Sequence, residues 1–166
     1  MYHWQHWITL GNQAFSRHQQ QLAQQYYRQA LADVWPVWYH CAFVECPSEL
    51  NADEAALPTH CLAVTLLNLA ECYASQQRWR RCRRTLQQGL YWFSQMLQQG
   101  VTEHPASLAV LMHQSKLLLA VQMMQQRQQL TLTAPPISTD VDRFAFPSAE
   151  VENQAESALN PRPYLH

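Results

Sequence analysis

The chain has 166 residues, a formal net charge of −1 and 48% hydrophobic residues, with six Trp and seven Tyr among them. That is enough for one domain with a sizeable core and too little for two ordinary ones; it argues against a wholly disordered protein, a polybasic membrane anchor or a globally basic nucleic-acid binder. With only Gly11, Gly89 and Gly100, no phosphate-cradling glycine loop and no Asn-Gly or Asp-Gly hairpin pair is present.

Gln, Leu and Ala dominate and suit helices, so the fold class expected is all-α. The opening Met1-Tyr2-His3-Trp4-Gln5-His6-Trp7 shows no basic region followed by a long apolar run. No uninterrupted apolar stretch reaches ~18 residues, so no membrane partner is expected. An odd set of cysteines (Cys41, Cys46, Cys61, Cys72, Cys82) fits reduced thiols and a cytoplasmic setting better than a disulfide framework.

The first predicted element is a helix pair over about residues 4–36. It contains Trp7-x-x-Leu10-Gly11-x-x-Ala14-Phe15, then Ala23, Tyr27 and Ala30, with a turn at Arg17-His18-Gln19. Residues 37–62 form an insert that begins Val37-Trp38-Tyr39-His40-Cys41. It reads as an extension of the second helix, kinked or restarted at Pro36, ending at Pro47, with Pro58 closing the loop that follows. A second helix pair is predicted over 63–96. There Leu66-x-x-Leu69-Ala70-x-x-Tyr73 is followed by Cys82, Leu86 and Gly89, with a turn at Gln76-Gln77-Arg78. Large and small residues recur in the same order, and Trp7 and Leu66 lie 59 residues apart (66 − 7).

Gly100 ends a helix, Thr102 to Pro105 opens another, and residues 105–129 form a Leu-, Met- and Gln-rich helix that caps the array. From 131 to 166 the chain reads as an irregular, Pro-containing tail. Lys and Arg outnumber Asp and Glu by nine to seven through residue 130, and the tail reverses this at two to five. The tail carries one apolar motif, Val141 to Pro147.

These spacings resemble the tetratricopeptide repeat, a helix–turn–helix unit of ~34 residues that opens W-x2-L-G-x2-Y. Small residues let two antiparallel helices approach, and large ones fill the surrounding space. The resemblance implies an α-solenoid of two clear repeats within a 1–130 domain, plus the capping helix and the tail. The Gln- and Trp-rich style is similar to small bacterial families of this type. The departures are the displaced aromatic at Ala14-Phe15, the insert, and a third copy (Leu119-Ala120-x-x-Met123) reduced to one helix.

The resemblance also implies a concave groove formed by the first helices, with Ile8, Asn12 and Phe15 from one repeat and Leu67, Asn68 and Glu71 from the other. Asn12 and Asn68 match the paired Asn positions of carboxylate-clamping relatives, but Ile8 stands where a basic partner is expected. Read directly from the residues, Arg80, Arg83 and Arg84 form the basic outer face of an amphipathic helix. That face suits an acidic peptide or a phosphate, or is simply solvated. His40, Cys41, Cys46, His60 and Cys61, with Glu45, are zinc-type donors, but no C-x2-C pair is present; no metal or cofactor is expected.

No nucleophile-elbow or H-E-x-x-H motif points to an enzyme. The expected function is therefore a protein–protein interaction module that takes a protein or peptide partner. The alternatives are a homodimer associating through Trp4, Trp35, Trp38 and Trp92, and, further off, a zinc-containing or thiol-reactive enzyme.

Overall fold

In the computed structural model, the described residues are 2–44, 52–98 and 106–133, and they are helical apart from short turns. The chain divides into a unit ending at Thr133 and a second unit, Ala134–His166, which lies outside the described residues. So do the tail motif Val141–Pro147, the Glu45–Pro47 segment with Cys46, and the Gly100–Pro105 connection. Five α-helices follow in order: α1 (Tyr2–Ser16), α2 (Gln20–Tyr39), α3 (Ala52–Ser75), α4 (Trp79–Gln98) and α5 (Ser107–Thr133). A π-helical turn, His40–Val44, continues from α2.

Each helix packs on the next, α1 and α3 touch, and α3 and α5 pack together. The result is a short stack with α3 at its centre. The Asp53–Ser75 stretch is apolar and long enough to cross a membrane by length and composition, yet 61% of it is buried in this fold. Leu62, Leu66 and Cys72 are fully enclosed, as the central helix of a stack requires.

Two turns close the helix pairs in the same way. His18, at φ 59°, gives its N–H to the Phe15 carbonyl, and Gln19 gives its N–H to the Ala14 carbonyl. Gln77, at φ 57°, bonds the Ala74 carbonyl, and Arg78 bonds the Tyr73 carbonyl. This is the left-handed helix stop that satisfies the last free carbonyls, built here on non-glycine residues. The paired turn residues are 59 apart (77 − 18), the offset seen in the sequence. At the same offset, Ala23 and Cys82, Tyr27 and Leu86, and Val34 and Phe93 are all buried.

The small residues sit where the helices come closest. A β-carbon at Gly11 would lie 2.4 Å from the Tyr27 ring, and one at Gly89 would lie 2.7 Å from Leu66 and 3.0 Å from Leu117. Tyr27 is held from both sides: it is buried, and its hydroxyl donates to Asn12 Oδ1 at 2.8 Å. Burial pushes its phenol up to about 12, so it remains a donor.

The connecting segments differ from the sequence reading. Helix α2 does not restart at Pro36; it runs through to Tyr39, where the His40 N–H reaches the Pro36 and Val37 carbonyls. Pro58 does not close a loop but lies inside α3, which starts at Ala52 rather than near residue 63. Pro58 is the seventh residue of α3, past the first turn, so it forfeits one intrahelical hydrogen bond; its side chain is buried, and packing offsets that loss. The 37–62 insert is thus largely helix added to the ends of α2 and α3. Helix α5 likewise runs on to Thr133, past the expected tail boundary.

Replacing Gly11 with Ala should lower stability by about 1–2 kcal/mol, because crowding Tyr27 outweighs the gain in helix propensity. Urea denaturation measures this, and a stability equal to or above that of the parent contradicts the packing described.

Candidate functional site

Of the six groove residues, Leu67, Asn68 and Glu71 line one hollow, Asn12 meets Asn68, and Ile8 and Phe15 pack into the core. Ile8 is 8% exposed and belongs to the core. Phe15 is half-buried against the same core. Asn12 and Asn68 do meet: Asn68 Nδ2 donates to Asn12 Oδ1 at 3.3 Å, the oxygen that also accepts from Tyr27. Both lone pairs of that oxygen are engaged within the protein, so it has none left for a peptide backbone.

Leu67, Asn68 and Glu71 line a hollow of about 260 Å³ between α3 and α5, with Met123, Met124 and Arg127 opposite. Arg127 Nη1 reaches both Glu71 oxygens, at 2.9 and 2.7 Å. The hydrogen bond to Glu71 raises the already high guanidinium pKa. Both side chains are about half exposed, at 44% and 51%, so the pair contributes only about 0.5 kcal/mol.

The basic cluster divides between two sides of α4. Arg83 turns towards α5, donating to Gln128 at 3.4 Å, and Arg80 is exposed. Arg84 joins Arg81 and Arg28 on the rim of a cleft of about 390 Å³ between α2 and α4. Buried Leu66 and Leu69 and half-buried Leu31 form its floor, with Trp92 also lining it.

Tyr73 organises the rim: Arg28 Nη2 donates to its hydroxyl at 3.0 Å, and the Arg81 guanidinium lies 6.0 Å from its ring centre. Among the described residues, no carboxylate lines the cleft. Among the described residues the one carboxylate–guanidinium pair is Glu71–Arg127, so the arginine rim is not neutralised by an ion pair there.

Arg28 was not among the candidates drawn from the sequence, where it is a single charge in a Gln- and Tyr-rich helix. Its stripe could have revealed it. Gln24, Arg28, Leu31 and Trp35 recur at i, i+4, i+7 and i+11, beside the core stripe of Ala23, Tyr27, Ala30 and Val34. This second stripe meets the α3–α4 pair. Gln24 accepts from Arg78 at 3.3 Å, Arg28 reaches Tyr73, and the Trp35 ring lies 3.9 Å from that of Trp92.

Of the tryptophans expected at a self-association surface, one is buried and the other three are half-buried against neighbouring helices. Trp38 is buried and donates to Thr59, Trp4 donates to Thr65, and Trp35 packs on Trp92. Fully exposed apolar side chains are most numerous on α5, at Leu108, Leu111, Met112, Leu118 and Leu119, on the side facing away from buried Val110, His113 and Leu117.

Among the described residues, no three His, Cys, Asp or Glu side chains gather as metal donors; Cys46 lies outside those residues. Burial pushes the Cys61 and Cys82 thiols up to about 11. Burial also raises Cys72, whose Sγ donates to the Gln20 carbonyl at 3.2 Å. Such thiols stay protonated near neutral pH and make poor nucleophiles.

The contact the sequence did not suggest is His60 Nδ1 to His113 Nε2, at 3.3 Å. His113 Nδ1 is buried without a partner. An unmet acceptor is cheaper than an unmet donor, which assigns the proton to Nε2 and makes His113 the donor.

Compared with protein-family models, curated proteins and solved structures, the chain matches none.

Burial first, then the charges of Lys116 and His60, push His113 down from 6.5 to about 4. Between those values the unfolded chain binds a proton that the folded one refuses. Stability is therefore full above the unfolded value and falls as pH drops through this window. From about pH 7 to pH 5 this group should cost about 2 kcal/mol, and His113→Leu should remove that slope. Urea titrations at the two pH values measure it; equal slopes in parent and variant contradict the assignment.

Proposed function

We propose that the protein is a protein-binding module: a short tetratricopeptide-like stack that holds an acidic segment of a partner protein across the α2–α4 cleft. The observation that carries this reading is the rim of Arg28, Arg81 and Arg84 above an apolar floor, with no carboxylate lining it among the described residues. A segment with Asp or Glu beside a Leu- or Phe-type side chain satisfies both parts. Guanidinium groups grip carboxylates in a fork, and the floor takes the apolar anchor. The matched turns and buried positions at a 59-residue offset support the repeat reading.

Binding rather than catalysis fits the raised thiols and the spread of polar groups over separate surfaces. We take the setting as cytoplasmic and the partner as protein rather than RNA. The whole chain is near neutral, at −1, and the cleft floor is aliphatic instead of a row of stacking rings.

The test uses synthetic peptides that pair acidic with apolar residues, titrated against the full chain and against Arg28→Glu and Arg84→Glu. The expected result is salt-sensitive binding, weakened at least ten-fold in each variant, with the melting temperature unchanged. Binding that ignores the reversals, or single-stranded RNA that outcompetes the peptides, contradicts the proposal.

A second reading, self-association, is favoured by one observation: the exposed leucines and methionines of α5. Light scattering on the parent and on Leu111→Glu/Leu118→Glu separates the two. A dimer that the double substitution converts to a monomer supports self-association, and a monomer at all micromolar concentrations removes it.

A further inference from the structure

A different hollow lies between α1 and α2, where the start of α1 runs beside the end of α2. It measures about 320 Å³ and is lined by His3, Trp4 and Trp7 from α1 and by Gln29, Asp33 and the valines Val34 and Val37 from α2. Both indoles are held in place by groups that do not line the hollow. The Trp4 ring N–H donates to Thr65 Oγ1 of α3 at 2.8 Å, and Thr65 in turn donates to the Cys61 carbonyl at 2.7 Å. Trp7 lies stacked with Tyr26, their ring centres 6.0 Å apart at 21°. The rings are therefore positioned before any ligand arrives, which spares the cost of ordering them on binding.

The electrostatics of the hollow are incomplete. Asp33 is half-buried, and among the described residues it has neither a hydrogen bond nor an ion pair. Among the described residues, no Lys or Arg lines the hollow. The described residues carry nine Lys and Arg but only four Asp and Glu. Of those four, Glu71 pairs with Arg127, Asp53 and Glu54 stand in the first turn of α3, and Asp33 alone lines this hollow. A carboxylate partly withdrawn from water beside two indoles attracts positive charge twice over, by its own charge and through the negative ring faces. Val37 and the buried Val34 offer an apolar wall to a short stem.

We propose that this hollow binds an organic cation on a short alkyl stem: an alkylammonium or guanidinium group with Asp33 as counter-ion and Trp4 and Trp7 as aromatic walls. The two sources of that chemistry are a Lys or Arg side chain of a protein and a free quaternary amine. The site shares no residue with the arginine cleft, so it stands or falls independently of the acidic-segment reading.

The indole N–H resonances of the full chain report on it. Two probe pairs are titrated: choline against 3,3-dimethyl-1-butanol, and Nα-acetyl-lysine-N-methylamide against its norleucine counterpart. The cationic member of each pair should shift the Trp4 and Trp7 signals saturably, with at least ten-fold tighter binding than its neutral isostere. Asp33→Asn should cost at least five-fold. Should that variant fail to fold, Trp7→Leu read through Trp4 gives the same comparison. Tighter binding of the lysine derivative than of choline assigns a protein side chain, and the reverse assigns a free quaternary amine. Equal binding of the neutral isosteres, or unchanged binding in both variants, overturns the proposal.

Discussion

The structure depends on how closely antiparallel helices can approach. At Gly11 the Tyr27 ring occupies the place of a side chain, and at Gly89 Leu66 and Leu117 do so. Those contacts draw α1 onto α2 and seat α4 among α3 and α5, and the two matched turns fix the direction of return. Core packing penalises a methyl group too many, so the small residues are as constrained as the large ones. Because the first pair is closed in this way, the Gln24, Arg28, Leu31 and Trp35 stripe of α2 faces the second pair. The arginine cleft forms along that stripe.

Charge is distributed according to what each helix covers. The described residues carry many more guanidinium and ammonium groups than carboxylates. The pair between Glu71 and Arg127 is exposed and weak, and it spans the hollow between α3 and α5 without sealing it. Arg28 and Arg81 gather around the hydroxyl and ring of Tyr73, and Arg84 completes the rim. Asp33 faces another hollow on another side of α2. One helix therefore separates a cationic surface from an anionic one, and each has an apolar lining that could hold the body of a ligand while the charges select it.

The helical class and the two turns were legible because they rest on local signals: helix-forming composition, and a small residue at a fixed distance from the next. Gly11, Ala23 and Tyr27, with their counterparts Ala70, Cys82 and Leu86, recur at one offset, and all six are buried. What the sequence did not reveal depends on distant partners. Ile8 reads as a groove residue by its repeat position, whereas in the fold it joins a core built from several helices. Pro36 and Pro58 read as breaks because local rules penalise proline, whereas packing on both sides keeps α2 and α3 helical. Arg28 escaped notice because its neighbours Arg81, Arg84 and Tyr73 come from other helices. His113 did so because its environment, not its spacing, makes it unusual.

The cleft exists only if the two helix pairs dock along the α2 stripe, and Trp35 against Trp92 is the most direct witness of that docking. Their ring centres lie 3.9 Å apart. Proton–proton nuclear Overhauser measurements on the full chain should show strong cross-peaks between these two indoles, together with contacts from Arg28 to Tyr73. If Trp35 and Trp92 give no such cross-peak while each pair remains helical, the pairs are not docked in this way and the arginine cleft is not a feature of the protein.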